Sequence, residues 1–277
     1  MIIEPHIHMY SRTTDDYVAM YRAGIRVCVE PSFWMGCNRR YAGTFFDYFN
    51  LILEFETVRA RRFGIDHYCA IALNPKEAED AVLAAEVMDG LEAYLDHSRC
   101  VAMGEIGLNN ITRNEEAAFI RQLHLAHKRA MPVIVHLPHV DKRRGALRIL
   151  DLVKAEGINP DLVVIDHNTE ETIRMSRESG CYSGMTVYPI SKLDPSRVSA
   201  IIREYGSERM IINGSADWGV SDPLSLIKVV AQFQADGIPS SDIERIALHN
   251  AMDFYSQSPH WNPDFEMQPL DPREFQR

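Results

Sequence analysis

The sequence predicts a single-domain α/β protein of the eight-stranded parallel class, the (β/α)8 or TIM-type barrel. Three observations lead there. Eight short apolar runs recur along the chain, helix-like segments lie between them, and no low-complexity linker divides the 277 residues. Barrels of this kind commonly take about 250 residues, so the length asks for no second domain.

Taken in order, the strand candidates are residues 1–8, 25–30, 68–73, 101–107, 133–137, 162–167, 182–187 and 210–214. Periodic helical segments lie at 75–96, 114–130, 142–156, 170–178, 195–205 and 223–235. Strands alternating with helices make a parallel sheet, and eight repeats can close on themselves. Asn114 before Glu115 and Glu116 suits a helix N-terminus. Pro132 follows that helix and opens the fifth strand. Asn159-Pro160 breaks the next helix, and Asp222-Pro223 reads as a cap and first helical position. Residues 31–50 fit the alternation less well. They carry Phe33, Trp34, Tyr41, Phe45, Phe46, Tyr48 and Phe49. The stretch reads either as a lid, substrate wall or oligomer contact, or as a core-packing helix with an irregular lead-in. The barrel is expected over residues 1–256. The proline- and charge-rich residues 257–277 are expected as an arm over the surface or a partly disordered tail.

The formal net charge is −10, from 29 basic and 39 acidic residues. That argues against broad binding to nucleic acid but leaves room for a local basic pocket. Five cysteines lack C-x-x-C spacing, and Cys28, Cys69, Cys100 and Cys181 stand in or beside apolar runs. They read as buried free thiols of a reducing compartment. MIIEPHIHMY is not a signal peptide, and no run approaches the ~20 apolar residues of a membrane span. A cytoplasmic protein is expected.

The chemistry is carried at the strand ends. His6 and His8 close the first strand, Glu105 the fourth, His136 the fifth and His167 the sixth, while Asp217 follows the eighth. In a barrel these ends converge on one face. Positions i and i+2 of a strand share a side, so His6 and His8 can grip one ion. His-x-His alone is a weak pattern, as is each later residue; the joint pattern is specific. Imidazole and carboxylate without thiolate suit Zn²⁺, Mn²⁺, Fe²⁺ or Co²⁺, and carboxylate-rich sites also take Mg²⁺. Six ligands exceed one tetrahedral site, which points to two divalent ions and a shared, activated water.

These residues lie in EPHIH at 4–8, ALNP at 72–75, GEIGLN at 104–109, QLHLAHKRAMPVIVH at 122–136, IDH at 165–167, INGSADW at 212–218 and HNAMDFY at 249–255. In these motifs the chain resembles the TatD family of metal-dependent hydrolases, in the amidohydrolase superfamily. The resemblance implies a distorted (β/α)8 barrel with one or two metal ions. It implies that His6, His8, Glu105 and Asp217 hold the first ion, that Glu105 bridges, and that His136 and His167 hold the second. It further implies that Asp217 accepts a proton from the attacking water. The chain departs from the family at Glu4, Asn74, Asn109, Leu137-Pro138 and Ser215-Ala216. There the family commonly has an acid beginning Asp-x-His-x-His, a His, an Asp, Ser-Arg and the start of an ETD triplet. The ligands are kept while their surroundings change, which weakens the link to DNA cleavage.

Further substrate contacts are expected at Glu30, Asn74, His139 and Trp218. Lys142 stands beside His139 as an anion contact or a solvated loop residue. His124 and His127, on an outer helix, read as structural, and Gly104 and Gly107 as permitting close strand packing. His67, His97, His249 and His260 have no evident partner. The function expected is metal-dependent hydrolysis by an activated water, of a phosphoester or small-molecule substrate such as a short phosphodiester. Long nucleic acid is not favoured. Alternatives are an amidohydrolase or lactonase of a biosynthetic pathway, or a non-catalytic barrel that keeps its ligands. The oligomeric state is open.

Overall fold

The computed structural model describes residues 1–271 and 273 of the chain. Eight strands pair in parallel, in chain order: β1 (Ile2–Glu4), β2 (Ile25–Pro31), β3 (Asp66–Ala70), β4 (Cys100–Gly107), β5 (Val133–His136), β6 (Val163–Asp166), β7 (Tyr182–Thr186) and β8 (Met210–Asn213). They make a nearly closed (β/α)8 barrel, as the apolar runs predicted. The first strand is shorter than its expected span of 1–8. Pro5 has no N–H to offer a ladder, and the chain leaves the sheet there. The seam between β8 and β1 is joined beyond the strands. His8 N–H donates to the Ala216 carbonyl at 2.9 Å, and Ser215 N–H to the His6 carbonyl at 2.8 Å. Below them the Gly214 N–H donates to the buried Glu4 Oε1 at 3.0 Å.

Inward-facing Ile3, Val27, Val29, Ala70, Val101, Ile134, Val164 and Ile211 form one apolar cluster with Phe254, Tyr255 and Trp261. The helix Asn250–Tyr255 and the segment after it therefore pack beneath the barrel, against the interior residues of the strands. That segment stays on the surface: Asp264 N–H donates to Asp66 and Leu270 N–H to the Arg62 carbonyl. Residues 272 and 274–277 of the expected arm lie outside the described residues. The outward strand faces meet the helices through a second cluster that includes Met103, Ile106, Phe119, Leu123, Val135 and Ile149.

Several boundaries differ from expectation. The helix expected at 75–96 is a 3₁₀ turn, Pro75–Glu77, then helices Ala81–Gly90 and Glu92–Leu95. Asp80 starts afresh because its carboxylate accepts from Val82 and Leu83 N–H. The helix Arg113–Lys128 is capped by Thr112 in a capping box with Glu115, not by Asn114. After β8 the helix is Ser225–Ala235; Asp222-Pro223 forms the turn before it, with Leu224 at the cap position. A helix at Thr14–Arg22 joins the set. Residues 31–50 combine both expected forms. Phe45, Tyr48 and Phe49 bury one side of the helix Ala42–Asn50, while Phe33 and Trp34 line the cavity at the barrel mouth. Cys28, Cys69, Cys100 and Cys181 are buried free thiols. No described helix is long and apolar enough to cross a membrane.

Candidate metal centre

Five of the six expected ligands meet at the C-terminal mouth of the barrel. His6, His8 and Glu105 bring ligand atoms together in one buried cluster; Glu105, His136 and His167 form a second. Glu105 belongs to both. Its Oε1 lies 3.3 Å from His6 Nε2, 3.0 Å from His167 Nε2 and 3.5 Å from His136 Nδ1. Gly107 brings β4 this close to β5. A Cβ on it would stand 2.4 Å from the His136 carbonyl, and its φ of +141° suits glycine.

The donor set fits a divalent cation. His8 Nδ1 is 3.1 Å from the Pro31 carbonyl, which can only accept, so Nδ1 carries the proton. His6 Nδ1 is 2.6 Å from Asp166 Oδ2, which places its proton there in the same way. Both Nε2 lone pairs then face one another across 3.2 Å. Two such lone pairs repel unless a cation stands before them. His136 makes the same point: its Nε2 is buried without a hydrogen-bond partner, and its Nδ1 reaches only Glu105 at 3.5 Å. Burial, with His6 beside it, pushes His8 down to about 3. Burial lowers His136 and His167 as well, so these imidazoles are neutral as metal ligands must be. Burial opposes ionisation of Glu105, but His6, His136 and His167 outweigh it and hold the carboxyl well below the usual range.

Asp217 is the sixth expected ligand. It lines the same cavity yet stands outside both clusters, because its Oδ1 is turned to the Tyr188 hydroxyl at 2.8 Å and the Gly219 N–H at 2.7 Å. Glu30 is an expected substrate contact. It is fully buried between β2 and β3, accepting from Tyr10 N–H at 2.8 Å and meeting His67 Nε2 at 2.8 Å. It does not line the cavity, and His67 has a partner after all. His249 lies 3.6 Å from Glu244, and the ring of His260 bonds the Cys100 carbonyl. His124 pairs with Glu156 at the surface.

The cavity over the clusters measures about 130 Å³. Asn74, His139 and Trp218 line it, and Asn74 donates to Glu105 Oε2 at 3.4 Å. Lys142 does not line it; it donates to the His167 carbonyl at 2.9 Å. Sequence reasoning missed four groups that matter here. Asp166 holds His6 and accepts from His167 N–H and from Asn213. Lys192 Nζ reaches within 3.2 Å of His167 Nδ1. Lys76 joins the lining, and Tyr188 holds Asp217. Asp166 alone left a signal, at a strand end beside His167.

A parallel barrel with this mouth defines the chain as a metal-dependent hydrolase. It belongs to the TatD family: the family model described as TatD related DNase matches residues 5–256. An uncharacterized metal-dependent hydrolase of Methanocaldococcus jannaschii is 26% identical over 261 residues, covering 92% of this chain and 99% of that protein. The crystal structure of a TatD-like protein from Archaeoglobus fulgidus is 25% identical with a TM-score of 0.76, covering 92% of this chain and 99% of the other. A Deinococcus radiodurans PTE-like lactonase mutant shares the fold at a TM-score of 0.68 and 13% identity, over 92% and 95% of the two chains.

Proposed function

We propose that this hydrolase cleaves a compact anionic phosphoester, with the ions held by His6, His8 and Glu105 and by Glu105, His136 and His167. The observation that carries this reading is the placing of Lys76 and Lys192 on the wall of a cavity of about 130 Å³ in a chain of net charge −10. Cations gathered there, against the overall charge, favour an anionic group over the clusters. The size of the cavity favours a small substrate or a chain end over a long duplex. The description of the family as DNase-related supports the phosphoester over a carbonyl bond.

Divalent ions at these clusters supply Lewis-acid activation of water and of the bond under attack. The chain supplies the rest. Lys192 and Lys76 draw and orient the anionic group. Asp166 and the Pro31 carbonyl fix the tautomers of His6 and His8. Asn74 steadies Glu105. Asp217 takes the proton from the attacking water on Oδ2, its Oδ1 being held by Tyr188 and Gly219.

The test is a panel of phosphomonoesters, short phosphodiesters, lactones and amides, assayed with added Mn²⁺ or Zn²⁺. Phosphoester turnover is expected, with Lys192→Ala raising KM about tenfold, the loss of one charge-assisted hydrogen bond. Turnover of carbonyl substrates alone overturns the reading.

A further inference from the structure

Of the chain's three tryptophans, Trp261 is buried beneath the barrel, while Trp34 and Trp218 meet at its mouth. Their ring centres are 6.0 Å apart, inclined at 60°, and both side chains line the cavity. Trp34 is fixed in place. Its indole N–H donates to Asn38 Oδ1 at 2.9 Å, and Lys76 Nζ stands 4.4 Å from its ring centre. Trp218 rests on Gly36 yet leaves 53% of its surface to solvent. The neighbouring loops add exposed Val220 and Ile190, and Ile190 has a φ of +73°, a conformation a β-branched residue rarely adopts. An exposed tryptophan paired with a second across the mouth of a charged cavity presents an aromatic face to whatever enters it.

We propose that Trp34 and Trp218 form a stacking subsite for a planar aromatic ring carried by the substrate beside its scissile group. This rests on the phosphoester reading. The ring lies against Trp218, and the anionic end reaches Lys76 and Lys192. A flat ring needs both a π-face and shape, so an aliphatic ring of equal size binds less well. An aryl group and a nucleobase share this chemistry.

The test titrates metal-loaded protein with phenylphosphonate and cyclohexylphosphonate by calorimetry. A nucleoside 5′-phosphonate against the base-free ribose phosphonate separates a nucleobase from a simple aryl group. About fivefold tighter binding of the flat-ring ligand is expected in at least one pair, the fold-change that an aromatic contact yields. Trp218→Leu should erase the preference and Trp218→Tyr restore it. Binding within twofold in both pairs, or a preference that survives Trp218→Leu, overturns the subsite and leaves the phosphoester reading standing. Failure of every phosphonate to bind overturns both.

Discussion

His6 Nδ1 lies 2.6 Å from Asp166 Oδ2, so a residue on β6 orients the first imidazole on the far side of the chain's seam. Asp166 itself is held by Asn213 and by the His167 N–H. Asp166→Asn removes the carboxylate that locks the His6 tautomer. Affinity of the first site is expected to fall about 10- to 100-fold while the fold survives. Metal titration followed by calorimetry measures it; unchanged affinity refutes the role.

Because Glu105 belongs to both clusters, a two-ion centre predicts a definite pattern of metal loss. His136→Asn is expected to reduce bound metal from two ions to one, and Glu105→Gln to deplete both. Elemental analysis after gel filtration decides this. Loading the native protein should also raise Tm. Ligand at a thousandfold excess over Kd adds about 4 kcal/mol, or roughly 8–12 °C for a chain of this size. No shift on chelation would contradict a structural hold on the ions.

Tyr188→Phe deletes the hydroxyl that donates to Asp217 Oδ1. One hydrogen bond is worth about 1–1.5 kcal/mol, so kcat should drop about tenfold with KM and metal content little changed. Gly219→Ala should do the same by another route, since a Cβ there would stand 2.1 Å from the Tyr188 hydroxyl oxygen. A KM effect without a kcat effect would place Tyr188 on the substrate instead.

Glu30 gives a stability prediction. Burial pushes its carboxyl up from 4.5 to about 8, and burial pushes its partner His67 down to about 4. Both are neutral between those limits, and the pair is a hydrogen bond rather than an ion pair. Between pH 4.5 and 8 the unfolded chain gives up the Glu30 proton while the folded chain keeps it. Glu30's own contribution to stability therefore falls as pH rises through this window, while His67, lowered from 6.5 to about 4, contributes the opposite trend below 6.5 and does so in both the native protein and the Gln variant. Glu30→Gln keeps an acceptor for Tyr10 and a donor for His67 but has no proton to lose. The variant's Tm relative to the native protein should climb from pH 5 to pH 9, by an amount on the order of a few kcal/mol in stability. A flat difference rules the account out.

What could be read in the chain follows from what short-range pattern carries. His6, His8, Glu105, His136 and His167 were legible because strand ends are local features and a barrel collects them by rule. Asp217 was legible in place, but not its hydrogen bond to Tyr188, a partner 29 positions away. Glu30 and His67 could be paired only by knowing the β2–β3 register, in which Cys28 faces His67 and Glu30 faces Cys69. Lys192 sits in an irregular loop with no period to announce it. The short helix Thr14–Arg22 has too modest an apolar face to stand out.

The seam between β1 and β8 has a bearing on how the molecule is made. His6 and His8 are tied through their own backbone to Ser215 and Ala216, over two hundred positions later. During synthesis the first imidazoles emerge early, yet the Glu105, Asp166 and seam contacts that aim them arrive only as the barrel completes. A nascent chain thus carries loose histidines and no catalyst. The site is assembled only with the last strand, so a truncated or stalled product would lack it.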